Sequence, residues 1–161
     1  MTWRGSTDVK DRIFGALVYL MPLYSGMRFG GDLLNQFPIV EQLLGLLLTP
    51  ILLIYSLIPG GLGGFLLFFI LFLAVVRNER IPHFIRFNTM QAILVDIVIS
   101  LLSILFFQIL RGALPGLIGI TIFNSIFTVV LAICLYSIVQ SALGRYPEIP
   151  AISEAVYTQV P

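Results

Sequence analysis

Charged residues are scarce in this sequence: Asp, Glu, Lys and Arg make up 11% of its 161 residues, whereas 58% are hydrophobic. Soluble domains contain about 25% charged and roughly 45–50% apolar residues. The composition therefore predicts one membrane domain and leaves no room for a second, soluble one. The net charge of +1 provides no basic surface for nucleic acid, so lipid and other membrane-protein subunits are the partners we expect.

The residue types that most often carry chemistry are equally scarce. Cys134 is the one cysteine and His83 the one histidine, so the sequence offers neither an intramolecular disulfide nor a cysteine–histidine metal cluster. We therefore predict no catalytic residues, no metal site and no cofactor. Cys134, in an apolar run, is interpreted as a packing residue, and His83, beside Pro82, as an ordinary loop residue.

The N-terminal residues do not have the pattern of a targeting sequence, and they read MTWRGSTDVKDRIF. They lack the apolar stretch and the small-residue cleavage site of a signal peptide, and they are too short and too acidic for a plastid transit peptide. We therefore expect either a precursor that has already been processed or a protein that inserts directly into its membrane.

Apolar runs predict four membrane spans, at residues 8–28, 59–76, 88–110 and 116–141. A helix needs about 20 residues to cross the hydrocarbon layer, and Pro22 should kink the first span. Asn88 and Gln91 have the spacing of a capping box, which places the start of the third span at Asn88. A further apolar run, residues 42–58, contains Pro50 and could span the membrane, re-enter it or lie in the interface.

The positions of the nine Lys and Arg residues distinguish these alternatives for residues 42–58. If this run does not cross, seven of the nine lie on the side of both termini, and only Arg28 and Arg111 lie opposite. If it crosses, they divide four to five. The positive-inside rule favours the first arrangement. We expect a four-helix bundle over residues 1–145 with an extra interfacial or re-entrant helix at 42–58, both termini in the cytoplasm or stroma, and a flexible tail at 146–161.

One carboxylate, Asp96, lies inside the third predicted span, about 12 Å from its start at 1.5 Å per residue. A step of 100° per residue places Ser100 and Ser103 on its face. In an antiparallel last helix, Ser125 and Thr128 would reach a similar depth, so these five residues form a candidate intramembrane polar face. It could line a path for an ion, a proton or a peptide. We favour the alternative, a structural hydrogen bond between Asp96 and Ser125, Thr128 or a neighbouring backbone group, because a lone carboxylate makes a poor proton relay.

The connector between the second and third predicted spans alternates basic and apolar residues. Its members of interest are Arg77, Arg80, Phe84, Arg86 and Phe87. They could form a docking surface for a partner on the cytoplasmic side. Equally, they could anchor the chain, with the arginines obeying the positive-inside rule and the apolar side chains dipping into the headgroups.

Three stretches of this sequence resemble the Tic20 family, the membrane core of the chloroplast inner-envelope translocon and its cyanobacterial homologues. They are YLMPL at 19–23, VVRN at 75–78 and IRFNTMQAILVDI at 85–97, the last being similar to the family pattern RFN-x-x-QA-x-L-x-D-I. The resemblance covers about residues 12–142. It implies four membrane spans, a role in handling proteins at a cyanobacterial plasma or thylakoid membrane or at the plastid inner envelope, and no catalytic residues.

Two functions follow as expectations. The first is a non-enzymatic subunit of a protein-translocation or insertion complex in a membrane of the photosynthetic lineage, with translocating polypeptides among its partners. The alternative is a small accessory or assembly subunit packed against a larger photosynthetic or respiratory complex. Translocation predicts crosslinks to substrate polypeptides near Asp96, whereas the accessory role predicts stable co-purification with one large complex. A small-solute transporter is disfavoured because the sequence has no inverted repeat.

Overall fold

The computed structural model describes residues 7–58, 62–110, 112–114 and 116–160, and within these residues it contains helices and no strands. The α-helices are α1 Val9–Leu17, α2 Leu20–Gly26, α3 Gly31–Gln36, α4 Pro38–Ser56, α5 Gly63–Ile70, α6 His83–Ile104, α7 Gly116–Ala142 and α8 Ile152–Gln159. Wider π-helical segments extend α5 over Leu71–Val76 and α6 over Leu105–Ile109. The predicted all-α class is confirmed.

Three helices of the described residues are long and apolar enough to cross a membrane, one fewer than predicted. They are α4 with 19 residues, α6 with its π extension at 27 residues, and α7 at 27 residues. The predicted span 59–76 contains only the eight residues of α5 and the six of its π extension, and residues 59–61 lie outside the described part. The run 42–58, predicted not to cross, belongs to the 19-residue α4, because Pro38 starts this helix earlier and Pro50 does not end it.

The first predicted span is divided into two short helices, α1 and α2. Pro22 has no N–H to donate to the carbonyl of Val18, so the regular hydrogen-bond ladder is interrupted one turn before the proline. Val18 and Tyr19 nevertheless keep helical backbone angles. The first span is thus two consecutive helices, and a 3-10 turn at Met27–Phe29 continues the segment beyond α2.

The core of the protein lies where α1 and α2 pack against both α6 and α7. The largest buried side chains here include Tyr19, Leu23, Phe87 and Phe127. Close approach of α2 to α7 depends on Gly26, because a Cβ at this position would come within 2.6 Å of Val130 Cγ1. Helix α4 contacts α2, α3 and α5 at the edge of this core, and most of its Leu and Ile side chains face outward.

The C-terminal residues differ from the flexible tail predicted for 146–161. They fold back on α6, and α8 places Val156 and Val160 in buried positions together with Ile149. The sequence reasoning counted too little apolar area in this segment. The three side chains nevertheless form one apolar cluster against the first turns of α6, which begins at His83 and not at Asn88.

Candidate functional site

A cleft with a volume of about 890 Å³ is lined by residues of α2, α4, α5 and α6. One part of its lining is polar and comprises Ser25, Asp96, Ser100 and Ser103. Another part is aromatic or small and comprises Tyr24, Tyr55, Gly63, Gly64, Phe65, Phe68 and Phe69. The cleft therefore offers hydrogen-bonding groups and an apolar surface to the same occupant.

The close crossing of α4 and α5 forms the aromatic wall of the cleft. A Cβ on Gly63 would lie 2.9 Å from the Cα of Tyr55, so only glycine permits this approach. The ring of Tyr55 in turn packs edge-on against Tyr24 of α2, with 5.2 Å between ring centroids and an angle of 82°. This pair connects the α4–α5 wall to α2 on the other side.

Asp96 provides the cleft with its one carboxylate among the described lining residues. Its Oδ1 atom is buried and has no hydrogen-bond partner there, and the Ser25 hydroxyl of α2 faces the same carboxyl group. The Ser103 hydroxyl is likewise buried without a partner. The polar side of the cleft thus retains hydrogen-bonding capacity that the described protein groups do not use.

Arg28 is the one Lys or Arg among the described lining residues. It lies at the far end of the cleft. Its guanidinium lies 5.9 Å from the centre of the Phe107 ring. Phe107 follows Asp96 by eleven positions on α6 and its π extension, which corresponds to roughly 16 Å along the helix axis. Asp96 is therefore not paired with Arg28, and the two side chains lie at separate depths of the cleft.

The structure brings together three of the five residues of the predicted polar face and separates the other two. Asp96, Ser100 and Ser103 line the cleft. Ser125 and Thr128 are exposed on α7, and their hydroxyls donate hydrogen bonds of 2.7 Å to the Thr121 and Asn124 carbonyls one turn earlier. These hydroxyls are satisfied within their own helix, so the predicted bond from them to Asp96 is not formed.

Ser25 is the polar residue of this site that the sequence reasoning missed. It lies in the run LMPLYSG of α2, which was interpreted only as apolar membrane helix. The sequence feature that could have identified Ser25 is a hydroxyl residue next to a tyrosine inside an apolar run. Without the packing of α2 against α6, nothing in the sequence pairs this hydroxyl with Asp96.

The connector predicted as a docking surface is only partly accessible. Phe84 and Phe87 are buried, because α6 already begins at His83 and the tail covers this face; the ring of Tyr146 packs on both. Arg86 is half-buried, and its Nε donates a 3.0 Å hydrogen bond to the Val76 carbonyl. Arg77 and Arg80 remain exposed, so the candidate docking surface reduces to these two residues.

A buried polar cluster holds the tail against the bundle. Gln91 is its centre: the side-chain amide donates to the Tyr19 hydroxyl at 2.9 Å and to the Pro147 carbonyl at 2.7 Å, and it accepts from the Ser153 hydroxyl at 2.7 Å. Asn88 accepts from Tyr19 and Ser141 at 3.1 and 2.8 Å. Asn88 and Gln91, predicted as a capping box, therefore lie in the interior of α6. Their side chains connect this helix to Tyr19, to Ser141 at the end of α7 and to the tail.

His83 has a structural position in the same region. It is the first residue of α6 and not a loop residue. One ring nitrogen lies 3.1 Å from the Val160 carbonyl and the other 3.0 Å from the Tyr146 hydroxyl. Since a carbonyl only accepts, Nε2 donates to Val160, and in the neutral ring Nδ1 then accepts from the Tyr146 hydroxyl. Among the described residues, no group of three or more His, Cys, Asp or Glu side chains could hold a metal ion.

Comparison with known proteins gives consistent matches along nearly the whole chain. A family model described as "Chloroplast import apparatus Tic20-like" matches residues 8–156. A Tic20 family protein of Synechocystis sp. is 45% identical over 161 residues, covering 99% of both chains. The Tic20 family protein Ycf60 of Porphyra purpurea is 33% identical over 99% of this chain and 80% of its own. Protein TIC 20-II, chloroplastic, of Arabidopsis thaliana is 30% identical over 96% and 74% respectively.

Proposed function

This chain is a member of the Tic20 family, and on that premise we propose that it is a non-enzymatic membrane subunit taking part in protein translocation or insertion. The family description names an import apparatus and not an enzyme. Its location would be a membrane of the photosynthetic lineage, either a cyanobacterial plasma or thylakoid membrane or the plastid inner envelope. Its partners would be other membrane subunits and the polypeptides in transit.

The cleft beside Asp96 is the observation that carries this proposal. An unfolded polypeptide presents backbone amides and carbonyls together with apolar side chains, and the cleft offers unused polar groups opposite an aromatic wall. Its volume of about 890 Å³ lies within the range of roughly 300–1,000 Å³ that is usual for ligand sites. Such a cleft suits a few residues of an unfolded chain and is far too small for a folded domain.

The orientation we propose places both termini on the cytoplasmic or stromal side, with the short helices α1 and α2 crossing as one segment, followed by one of α4 and α5, then α6 and α7. Support comes from the basic residues: in this orientation seven of the nine Lys and Arg residues share that side, as the positive-inside rule favours. The exposed arginines Arg77 and Arg80 then face the cytoplasm or stroma, where a soluble partner would dock.

Site-specific photocrosslinking in intact membranes tests the proposal. The photoreactive residue p-benzoylphenylalanine replaces Ile97, which lines the cleft, or Val129, a matched β-branched position exposed on α7. We expect adducts with an arrested precursor polypeptide from position 97 and only background from position 129. Adducts confined to subunits of one photosynthetic or respiratory complex, at either position, would instead support the accessory role.

A further inference from the structure

The Asp96 carboxyl group is incompletely satisfied in the structure. Its Oδ1 atom is buried without a hydrogen-bond partner among the described residues. A buried polar atom without a partner is unfavourable by several kcal/mol in an apolar medium, and ionisable residues inside membrane segments usually pair with another group. We therefore expect a hydrogen-bond donor to contact the Asp96 carboxyl group in the functioning protein.

The basic side chains that lie nearest to Asp96 along the helices, together with His83, already contact other groups. Arg28 lies on the Phe107 ring at the far end of the cleft. Arg86 donates to the Val76 carbonyl and precedes Asp96 by ten positions, roughly 15 Å along α6. Both nitrogens of His83 contact the C-terminal tail. None of these three groups pairs with Asp96. The Ser25 hydroxyl faces the carboxyl group, and the Oδ1 atom still lacks a partner among the described residues.

From these contacts we infer that Asp96 pairs with the Lys or Arg side chain of a polypeptide segment in the cleft. This inference rests on the proposed function and names the feature of the substrate that the cleft recognises. Besides Asp96, the Ser25 hydroxyl can accept a hydrogen bond from the cation, and the Tyr24–Tyr55 pair presents aromatic rings to it. Aromatic faces attract cations.

The aromatic wall suits the rest of such a side chain. Lysine and arginine bury their methylene stems along apolar surface while the charged group stays with polar partners, and Phe65 and Phe68 of α5 provide that surface in the cleft. A bound divalent cation is a poorer fit, since Asp96 is the one carboxylate among the described lining residues. Anionic lipid headgroups would be repelled by the same carboxylate.

Peptide crosslinking to the purified full-length protein in liposomes tests the pairing. Synthetic apolar peptides of about 20 residues, the length of one membrane span, carry Lys, Gln or Glu at the central position and are otherwise identical. Crosslinks form through p-benzoylphenylalanine at Ile97, with Val129 as the lipid-facing control. Adduct yield is measured as a function of peptide concentration for wild type, Asp96→Asn and Asp96→Glu.

We expect the Lys peptide to reach half-maximal yield at a roughly tenfold lower concentration than the Gln peptide, the scale of one charge-assisted hydrogen bond, and the Glu peptide to perform worst. Asp96→Asn should abolish the Lys preference, so that the Lys and Gln peptides reach half-maximal yield at the same concentration. Its melting transition in detergent reports that the variant is folded. Asp96→Glu should restore the preference.

Several results would overturn the inference, and they separate it from the proposed function. Equal yields of the Lys and Gln peptides on the wild type, or a Lys preference that survives in Asp96→Asn, would remove the pairing and leave the polypeptide-binding cleft standing. If no peptide crosslinked at position 97 above the Val129 background, both would fall. Adducts of position 97 with lipid or with a second copy of this chain, in place of peptide, would also overturn it.

Discussion

The side-chain amide of Gln91 donates a hydrogen bond of 2.7 Å to the main-chain carbonyl of Pro147, 56 positions later in the chain. This bond joins the middle of the bundle to the tail. It also explains why Gln91 is buried in a helix interior, where an amide is tolerated only if its hydrogen-bonding groups are satisfied.

Deleting residues 147–161 should destabilise the protein. The deletion removes Val156, Val160 and Ile149 from the buried apolar cluster and uncovers Phe87, and burial of each such side chain contributes about 1.5–3 kcal/mol. We expect a clearly lower melting temperature in detergent than that of Gln159→Ala, a substitution at an exposed position of α8. Unchanged melting would show that the tail does not stabilise the bundle.

Gln91→Leu should lower the free energy of unfolding by about 1–3 kcal/mol, because it leaves buried partners such as the Pro147 carbonyl without their hydrogen bond. The matched control is Gln108→Leu, at an exposed position in the π extension of α6, which should have little effect. Chemical denaturation in detergent measures both. Equal effects of the two substitutions would contradict the role of Gln91 as the centre of the polar cluster.

Gly26→Ala should weaken the packing of α2 on α7. The added methyl group would approach Val130 Cγ1 to 2.6 Å, and overpacking of this kind costs about 1–3 kcal/mol. Val130→Ala in the same chain removes the obstructing methyl groups, so the double variant should be more stable than the two separate losses of stability would predict. Strict additivity of the two losses would show that the helices do not meet there.

The sequence predicted some features of the site well, and the local ones best. The phase of a helix is local, so the spacing of Asp96, Ser100 and Ser103 indicates one face of α6, and all three line the cleft. The family resemblance was confirmed. Ser125 and Thr128 failed the prediction because a hydroxyl can bond to its own preceding turn, and sequence spacing does not show which partner it chooses.

Features that depend on distant parts of the chain were not predictable in the same way. Asn88 and Gln91 have the spacing of a capping box, yet their partners Tyr19, Ser141 and Pro147 lie at least 53 positions away. The choice between α4 and α5 as the crossing helix was not predictable for a related reason. Residues 29–76 contain no Lys or Arg, so the charge count does not distinguish a crossing by α4 from a crossing by α5.

We predict that the chain between Phe37 and Arg77 crosses the membrane a net single time. Single cysteines at these two positions, in a Cys134→Ser background, should react with an impermeant thiol reagent from opposite sides. With α1 and α2 crossing as one segment, most basic residues share one side only in that arrangement. A third cysteine at Leu57, an exposed position between α4 and α5, reports which helix makes the crossing. Labelling of positions 37 and 77 from the same side would contradict the proposed orientation.

The measurement that tests the proposed function most directly is a time course of crosslinking from the cleft. A labelled precursor is followed through the membrane in a pulse and chase while p-benzoylphenylalanine at Ile97 is activated at intervals, with Val129 as the control position. We predict that adducts at position 97 appear with the precursor and disappear as it reaches its destination. Adducts that never include the precursor, or that are equally strong at position 129, would contradict a cleft that contacts polypeptides in transit.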